Sequence, residues 1–275
     1  MIELPNRFAV DGVEIAWGEW GEGTPPFLLC HGFSGSAADF DLHVEALAQD
    51  RRVLAIDHRG HGRSTKTGRS DDYTLHRLAT DAVAFVDDVI REPFDLLGHS
   101  MGGRIVLEMT FARPELVRSL ILMDTSGWSF QGPDPDVRAV IEGFMTSFDP
   151  AGGLPDMTML RGPEDDMIEA RTPPDYLAHR LALQAAFDPH AMHALGRELW
   201  VTSPSVRDRL GEIRCPVTVI VGEHDHPFVD QAHELAAEVS DGRVVVIAGA
   251  YHSPQLTHQD EWRRAVVEHL ARVAV

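Results

Sequence analysis

The sequence predicts an α/β protein: a mostly parallel sheet of about eight strands, flanked by helices and carrying a helical insertion. Three observations carry this expectation. Short continuous apolar runs, of the kind that form strands buried on both faces, alternate with longer segments whose apolar residues recur at helical spacing. Most of these runs end in a cluster of Gly, Asp, Ser or His, where an open parallel sheet collects its ligand-binding groups. Between residues 128 and 206 the alternation stops, and helix-like segments separated by Pro and Gly take its place.

Phe8-Ala9-Val10 and Val13-Glu14-Ile15-Ala16-Trp17 flank Asp11-Gly12, a strong two-residue hairpin signal, so two antiparallel edge strands begin the chain. Residues 26–30 form a buried strand that ends in His31-Gly32-Phe33-Ser34-Gly35-Ser36, and a helix over about residues 37–49 follows. The next strand, residues 52–56, closes on Asp57-His58-Arg59-Gly60-His61-Gly62-Arg63-Ser64. Leu75, Leu78, Ala82, Phe85, Val86 and Val89 then line one face of a helix across residues 74–90. It delivers the chain to Phe94-Asp95-Leu96-Leu97-Gly98-His99-Ser100-Met101-Gly102-Gly103, after which residues 104–109 read as helix. That is a strand, a tight turn and a helix with a serine at the apex. Side chains at the flanking glycines would collide with the neighbouring strand and helix, and the serine itself must take a strained backbone conformation.

Residues 117–123 make the next strand, which ends in Asp124-Thr125-Ser126-Gly127. The insertion that follows holds five of the nine methionines: Met145, Met157, Met159, Met167 and Met192. The α/β rhythm resumes with a strand at residues 217–221, a helix over about 229–239, a strand at 244–247 and a final amphipathic helix over about 259–273. The expected organisation is a core domain of residues 1–127 and 207–275 with a helical cap of residues 128–206.

With 275 residues and 44% hydrophobic composition the chain can bury a sizeable core. Its net charge of −19, from 43 acidic against 24 basic residues, opposes binding to phosphate backbones and anionic membranes. The expected partner is a small-molecule substrate, not nucleic acid or a membrane, and a homodimer is left open. Lys66 is the only lysine and lies in a polar segment, which speaks against Schiff-base chemistry. Cys30 and Cys215 each adjoin an apolar run and read as reduced, buried thiols. The first residues lack a basic region followed by an apolar stretch of signal-peptide length, so a cytoplasmic location is expected. His58 with His61, and His224-Asp225-His226, are rich in histidine, but neither has helical His-Glu-x-x-His or paired Cys-x-x-Cys spacing; no metal and no cofactor are expected.

Ser100, Asp225 and His252 each follow a predicted strand, in the order serine, acid, histidine. A serine hydroxyl is a weak nucleophile, and an imidazole held in the right tautomer by a carboxylate makes its attack feasible near neutral pH. At these residues the chain resembles the α/β-hydrolase superfamily. The resemblance rests on His31-Gly32-Phe33, residues 57–64, the Ser100 turn, and the late Asp225 and His252, in that joint order. It implies that Ser100 is the nucleophile, Asp225 the acid and His252 the base, with the backbone N–H groups of Phe33 and Met101 as the oxyanion hole. Asp124 is the rival for the acid, because some family members place it after that earlier strand. Gly222-Glu223-His224-Asp225 matches the commoner pattern.

The insertion is expected to roof the pocket. Trp128, Phe130, Phe144, Met145, Phe148, Met157, Met159 and Leu160, with Phe33 and Phe228, are candidates for an apolar, adaptable wall. Arg104 lies four residues after Ser100 on the same helical face, placed to meet a substrate carboxylate or to form a structural salt bridge. The leading expectation is an esterase-like enzyme: hydrolysis of a carboxylic ester, or related acyl bond, of a small to medium, partly hydrophobic substrate. Ser100 cannot form the ester intermediate of the family's epoxide hydrolases and haloalkane dehalogenases, and Tyr176 is the only tyrosine in the expected cap. Three alternatives stay open. Residues 31–36 and 99–104 also resemble the pyruvate-eliminating synthase of the menaquinone pathway, which would need arginines such as Arg161, Arg171, Arg180 and Arg197 to ring its pocket. Carbon–carbon bond hydrolases share the scaffold, and so do ligand receptors without turnover.

Overall fold

The computed structural model describes residues 1–131, 134–155, 161–202 and 204–273. Asp11 and Gly12 both take positive φ, 45° and 76°, and so turn β1 (Asn6–Val10) directly into the antiparallel β2 (Val13–Trp20). Then come β3 (Phe27–Cys30), β4 (Val53–Ile56), β5 (Phe94–His99), β6 (Val117–Met123), β7 (Val217–Gly222) and β8 (Gly242–Ile247). They form one eight-stranded sheet in the order β1-β2-β4-β3-β5-β6-β7-β8. β2 meets β4 antiparallel, and every later neighbour is parallel.

The apolar strand runs have a direct structural reason: alternate residues face opposite cores. Leu28, Leu54, Leu96, Leu120 and Val219 join one core, while Phe27, Leu29, Ala55, Leu97, Ile121 and Ile220 join the other. The second is covered by α1 (Asp41–Leu47), through Val44 and Leu47. The first is covered by α2 (Leu75–Phe85) and α3 (Met101–Ala112), through residues such as Leu78, Phe85 and Ile105. Asp95, inside β5, is fully buried and accepts from Ser119 Oγ at 2.6 Å and Arg118 Nη2 at 2.7 Å.

Between β6 and β7 lie α4 (Pro135–Ser147), α5 (Pro163–Arg171), α6 (Pro174–Ala185) and α7 (Pro189–Arg197). The prolines that punctuate this stretch open its helices, as expected where a proline's missing N–H would have no partner. Asp134 and Asp188 cap α4 and α7 through side-chain bonds to the first free N–H groups. The chain ends with α8 (Phe228–Glu238), the short α9 (Pro254–Thr257) and α10 (Gln259–Arg272). α8 packs on the first core and α10 on the second. No helix among the described residues is long and apolar enough to cross a membrane.

Two expected helices differ in detail. The one over residues 37–49 splits into a tight turn, Ala37–Phe40, and α1. Ser36 and Asp39 close that turn with a reciprocal capping box, which starts the helix early and tightly. The one over residues 74–90 is regular only to Phe85 and ends in a wider turn, Val86–Ile90, with Arg91 at φ 61°.

Trp262 of α10 is fully buried, its ring 4.3 Å from that of His43 and its Nε1–H donating to Met123 Sδ at 2.7 Å. Trp262→Ala is expected to cost about 3–5 kcal/mol of stability in urea unfolding, because so large a void cannot close.

Candidate active site

β5 delivers Ser100 to the carboxyl end of the sheet at φ 53° and ψ −116°, a conformation that costs a non-glycine residue on the order of 1–3 kcal/mol. It is held there by its neighbours. The Ser100 N–H donates to Met123 O at 2.8 Å, and the Thr125 hydroxyl donates to Ser100 O at 2.7 Å. A Cβ on Gly98 would lie 2.5 Å from Gly102 O, and one on Gly102 would lie 2.5 Å from Cys30 O. Only glycines permit strand, turn and helix to pack this closely.

The three residues that are far apart in sequence meet here. Ser100 Oγ lies 2.9 Å from His252 Nε2, and His252 Nδ1 lies 2.8 Å from Asp225 Oδ2. This fixes the tautomer the arrangement requires: Nδ1–H donates to Asp225, and Nε2 accepts from the serine hydroxyl. Burial pulls the imidazole down, but the charge and hydrogen bond of Asp225, aided by Glu164, outweigh it and hold His252 above the ordinary histidine value. Glu164 comes from α5, and its Oε1 accepts the N–H of Ser253, next to His252, at 2.5 Å. His99, adjacent to the serine, donates through Nε2 to His252 O at 2.8 Å and so packs beside the turn.

The Phe33 loop passes over the serine at Gly32, where a Cβ would lie 3.3 Å from Ser100 Cβ. The N–H groups of Phe33 and Met101 donate to no protein acceptor among the described residues. Two buried histidines orient this loop. His31 Nδ1 donates to Gly32 O at 2.8 Å, the carbonyl of the same peptide that carries the Phe33 N–H, while its Nε2 accepts from the His58 N–H at 3.0 Å. His61 Nε2 lies 2.5 Å from Phe33 O. Burial pushes His31 down to about 4 and His61 down to about 3, so both rings are neutral near pH 7.

The expected wall residues are only partly gathered. The Phe33 ring meets Phe187 at 5.5 Å and Trp200 at 5.0 Å, both edge-on. Phe228 lies 5.3 Å from the His252 ring and edge-on to Phe130 at 4.9 Å. Met145 packs over Gly196 beside Phe33, whereas Phe144 is 37% exposed and stacks on Phe148. Trp128 lies under the Arg207 guanidinium at 4.3 Å. Met157, Met159 and Leu160 lie outside the described residues. Sequence reasoning missed Phe187, Trp200 and Glu164. Aromatic character was the only available signal for the first two, and an acidic helix start reads simply as dipole compensation for the third.

Arg104 does not form the structural salt bridge that was one of its two expected roles. It is buried, and among the described residues no carboxylate lies within ion-pair distance of it. Its Nη1 donates to Trp128 O at 2.8 Å and its Nη2 to Pro204 O, while burial pushes the guanidinium down to about 10. Trp128 and Pro204 lie where the chain enters and leaves the inserted segment, and Val206 N–H bonds to Gly127 O at 2.7 Å beside them. Arg104 therefore fastens both crossings to α3. Arg104→Met leaves two carbonyls without donors, which is expected to cost about 1–3 kcal/mol and to expose residues 128–206 to limited proteolysis before the rest of the chain.

The family described as alpha/beta hydrolase fold matches residues 25–259. A putative carbamate hydrolase of Rhizobium rhizogenes is 27% identical over 260 residues, covering 88% of this chain and 91% of that one. The acetyltransferase component of an acetoin cleaving system from Pseudomonas putida is 37% identical over 124 residues, but the match spans only 33% of that longer protein. A solved enzyme described as degrading N-acyl homoserine lactones superposes with a TM-score of 0.74 at 26% identity, over 96% of this chain and 99% of that one.

Proposed function

The chain belongs to the alpha/beta hydrolase fold family, and from that premise we propose that it is a serine hydrolase cleaving a carboxylic ester or a related acyl bond. The observation that carries the reading is the unbroken chain Asp225–His252–Ser100, set beside two unengaged backbone N–H groups. Ser100 Oγ attacks the substrate carbonyl carbon as His252 Nε2 takes its proton. The negative charge that forms on the carbonyl oxygen is met by the N–H groups of Phe33 and Met101, which need no reorganisation, and by the N-terminus of α3. The His252 imidazolium, paired with Asp225, then protonates the leaving group as its bond to the acyl carbon breaks. Water adds to the acyl-enzyme in the same way, with His252 as base, and releases the acid and Ser100.

The substrate follows from the walls. Phe33, Phe130, Phe187, Trp200 and Phe228 favour an apolar acyl or alcohol portion of modest size, beneath residues 128–206 acting as the cap. Three of the four arginines that an elimination from a polyanion would need are engaged elsewhere. Arg161 pairs with Glu169 at 2.9 Å, Arg180 with Asp39 at 2.7 Å, and Arg171 donates to Thr257 O at 2.5 Å. The similarity to a carbamate hydrolase and to a lactone-degrading enzyme supports acyl–oxygen or acyl–nitrogen cleavage and adds lactones and carbamates to the first substrates to try.

A panel of short-chain aryl esters, lactones and carbamates tests this with wild type, Ser100→Ala and Asp225→Asn. Turnover is expected to fall by a factor on the order of 10⁴ or more in each variant. Ester turnover that survives in Ser100→Ala would sink the proposal. His252 must be neutral to accept the serine proton, so kcat/KM falls as pH drops through its raised pKa. The acid limb is therefore expected above the usual histidine value of about 6.5, and a limb below it would show that burial, not Asp225 and Glu164, dominates at the imidazole.

A further inference from the structure

The mechanism above makes no use of Asp124. This residue ends β6, is fully buried, and holds a left-handed φ of 45°. Such a backbone in a residue that is not glycine persists only where the surroundings over-determine it. Oδ1 accepts the Gly222 N–H at 2.8 Å, and Oδ2 is buried with no donor facing it. One carboxylate oxygen from Asp124, one from Asp225 and one ring nitrogen of His252 all lie within 4.8 Å of one another.

Two carboxylates this close, sheltered from water, do not both carry a charge; one keeps the proton. The surroundings decide which. Asp225 receives the Nδ1–H of His252, whereas among the described residues no donor reaches Asp124 Oδ2. Burial first, and then the neighbouring Asp225, raise the Asp124 carboxyl well above the ordinary aspartate range, and Glu164 of α5 acts in the same direction. Among the described residues no arginine or lysine pairs with Asp124 to offset this. A protonated Asp124 also resolves its orphan oxygen: Oδ2 becomes a donor, and the nearby acceptor is the Asp225 carboxylate.

We infer that Asp124 is a positioning residue that remains protonated and donates its Oδ2–H to Asp225, so that the acid behind His252 is a carboxyl–carboxylate pair. The pair joins three strand ends. Asp124 at β6 is oriented by the N–H of Gly222 at β7, and Gly222 packs under the carbonyl of Tyr251, the residue before His252 after β8. This assignment rests on the reading of Ser100, His252 and Asp225 as the reacting set, and its test is arranged to separate the two.

Asp124→Asn retains an acceptor for Gly222 and a donor for Asp225 and carries no charge. If Asp124 is protonated, the field at His252 is unchanged. The acid limb of the variant's kcat/KM profile is then expected to be unmoved from that of wild type. Asp124→Leu, which lacks the donor, is expected to lose about 10- to 100-fold, the range of one hydrogen bond to a charged group. An ionised Asp124 predicts the opposite for the Asn variant. The loss of a negative charge near His252 would lower the imidazole pKa and shift the acid limb to lower pH, and that result overturns the inference. Leu with wild-type kcat/KM overturns it as well.

Two readouts need no substrate and no Leu variant that folds. NMR titration of His252 should give the same midpoint in wild type and Asp124→Asn. An infrared difference spectrum between them should show the carbonyl stretch of a protonated carboxyl lost from wild type. If no ester is turned over yet both readouts hold, the proposed reaction fails and the proton placement stands; if esters are turned over and the carboxyl band is absent, the reverse is true.

Discussion

The site depends on backbone approaching backbone more closely than side chains allow. Gly32 crosses Ser100, Gly98 meets Gly102, Gly102 meets the end of β3, and Gly222 lies under the Tyr251 carbonyl. Each contact joins a strand end to its neighbour, and together they place a serine hydroxyl, an imidazole and a carboxylate in one hydrogen-bonded chain beside two unengaged N–H groups. Ser100 could not hold φ 53° alone. It holds that angle because Met123 and Thr125 take its N–H and its carbonyl, and because the adjoining glycines leave no slack. Pre-organisation at Ser100 is thus a packing property before it is an electrostatic one.

The electrostatics are arranged on that frame by burial. The field around His252 is acidic, set by Asp225 in the loop after β7 and Glu164 of α5, and the rings that shape the oxyanion loop are neutral. An imidazolium forming at His252 is therefore stabilised by both carboxylates. The developing oxyanion, by contrast, faces backbone dipoles and the start of α3. The two charges of the proposed reaction separate toward different halves of the site, each matched to its surroundings.

Much of this was legible in the sequence, for a definite reason. Strands buried on both faces read as unbroken apolar runs, and an open parallel sheet puts its chemistry just after them, so position offered Ser100, Asp225 and His252 as candidates, and the resemblance to the hydrolase superfamily supplied their expected roles and the preference for Asp225 over Asp124. Asp124 was also visible, as a rival to Asp225, but sequence order cannot reveal that rivals meet as a pair. Arg104 shows the other limit. Helical spacing placed it near Ser100, yet its partners are the carbonyls of Trp128 and Pro204, and carbonyls leave no trace in a residue pattern. The inserted segment was hardest. Its helices are amphipathic and capped in ways the sequence signals, but which aromatic turns inward depends on how the helices sit over the sheet. Phe187 and Trp200 were missed for that reason, and Phe144, which was named, is 37% exposed and stacks on Phe148 instead of on the Phe33 cluster.

The inserted segment is tied by hydrogen bonds to the loops of the proposed site, not merely laid over them. Tyr176 donates to Ala38 O at 3.1 Å and Arg180 to Asp39 at 2.7 Å, both just beyond the loop that carries the Phe33 N–H. Glu164 accepts from Ser253 on the histidine loop, and Arg104 holds both crossings to the helix that begins at Met101. Each of the three loops used in the proposed reaction therefore has its own tie to the inserted segment. A change that shifts this segment to admit a larger substrate also shifts the oxyanion donors and the base. In the proposed reaction, substrate size and catalytic geometry are therefore coupled through these ties.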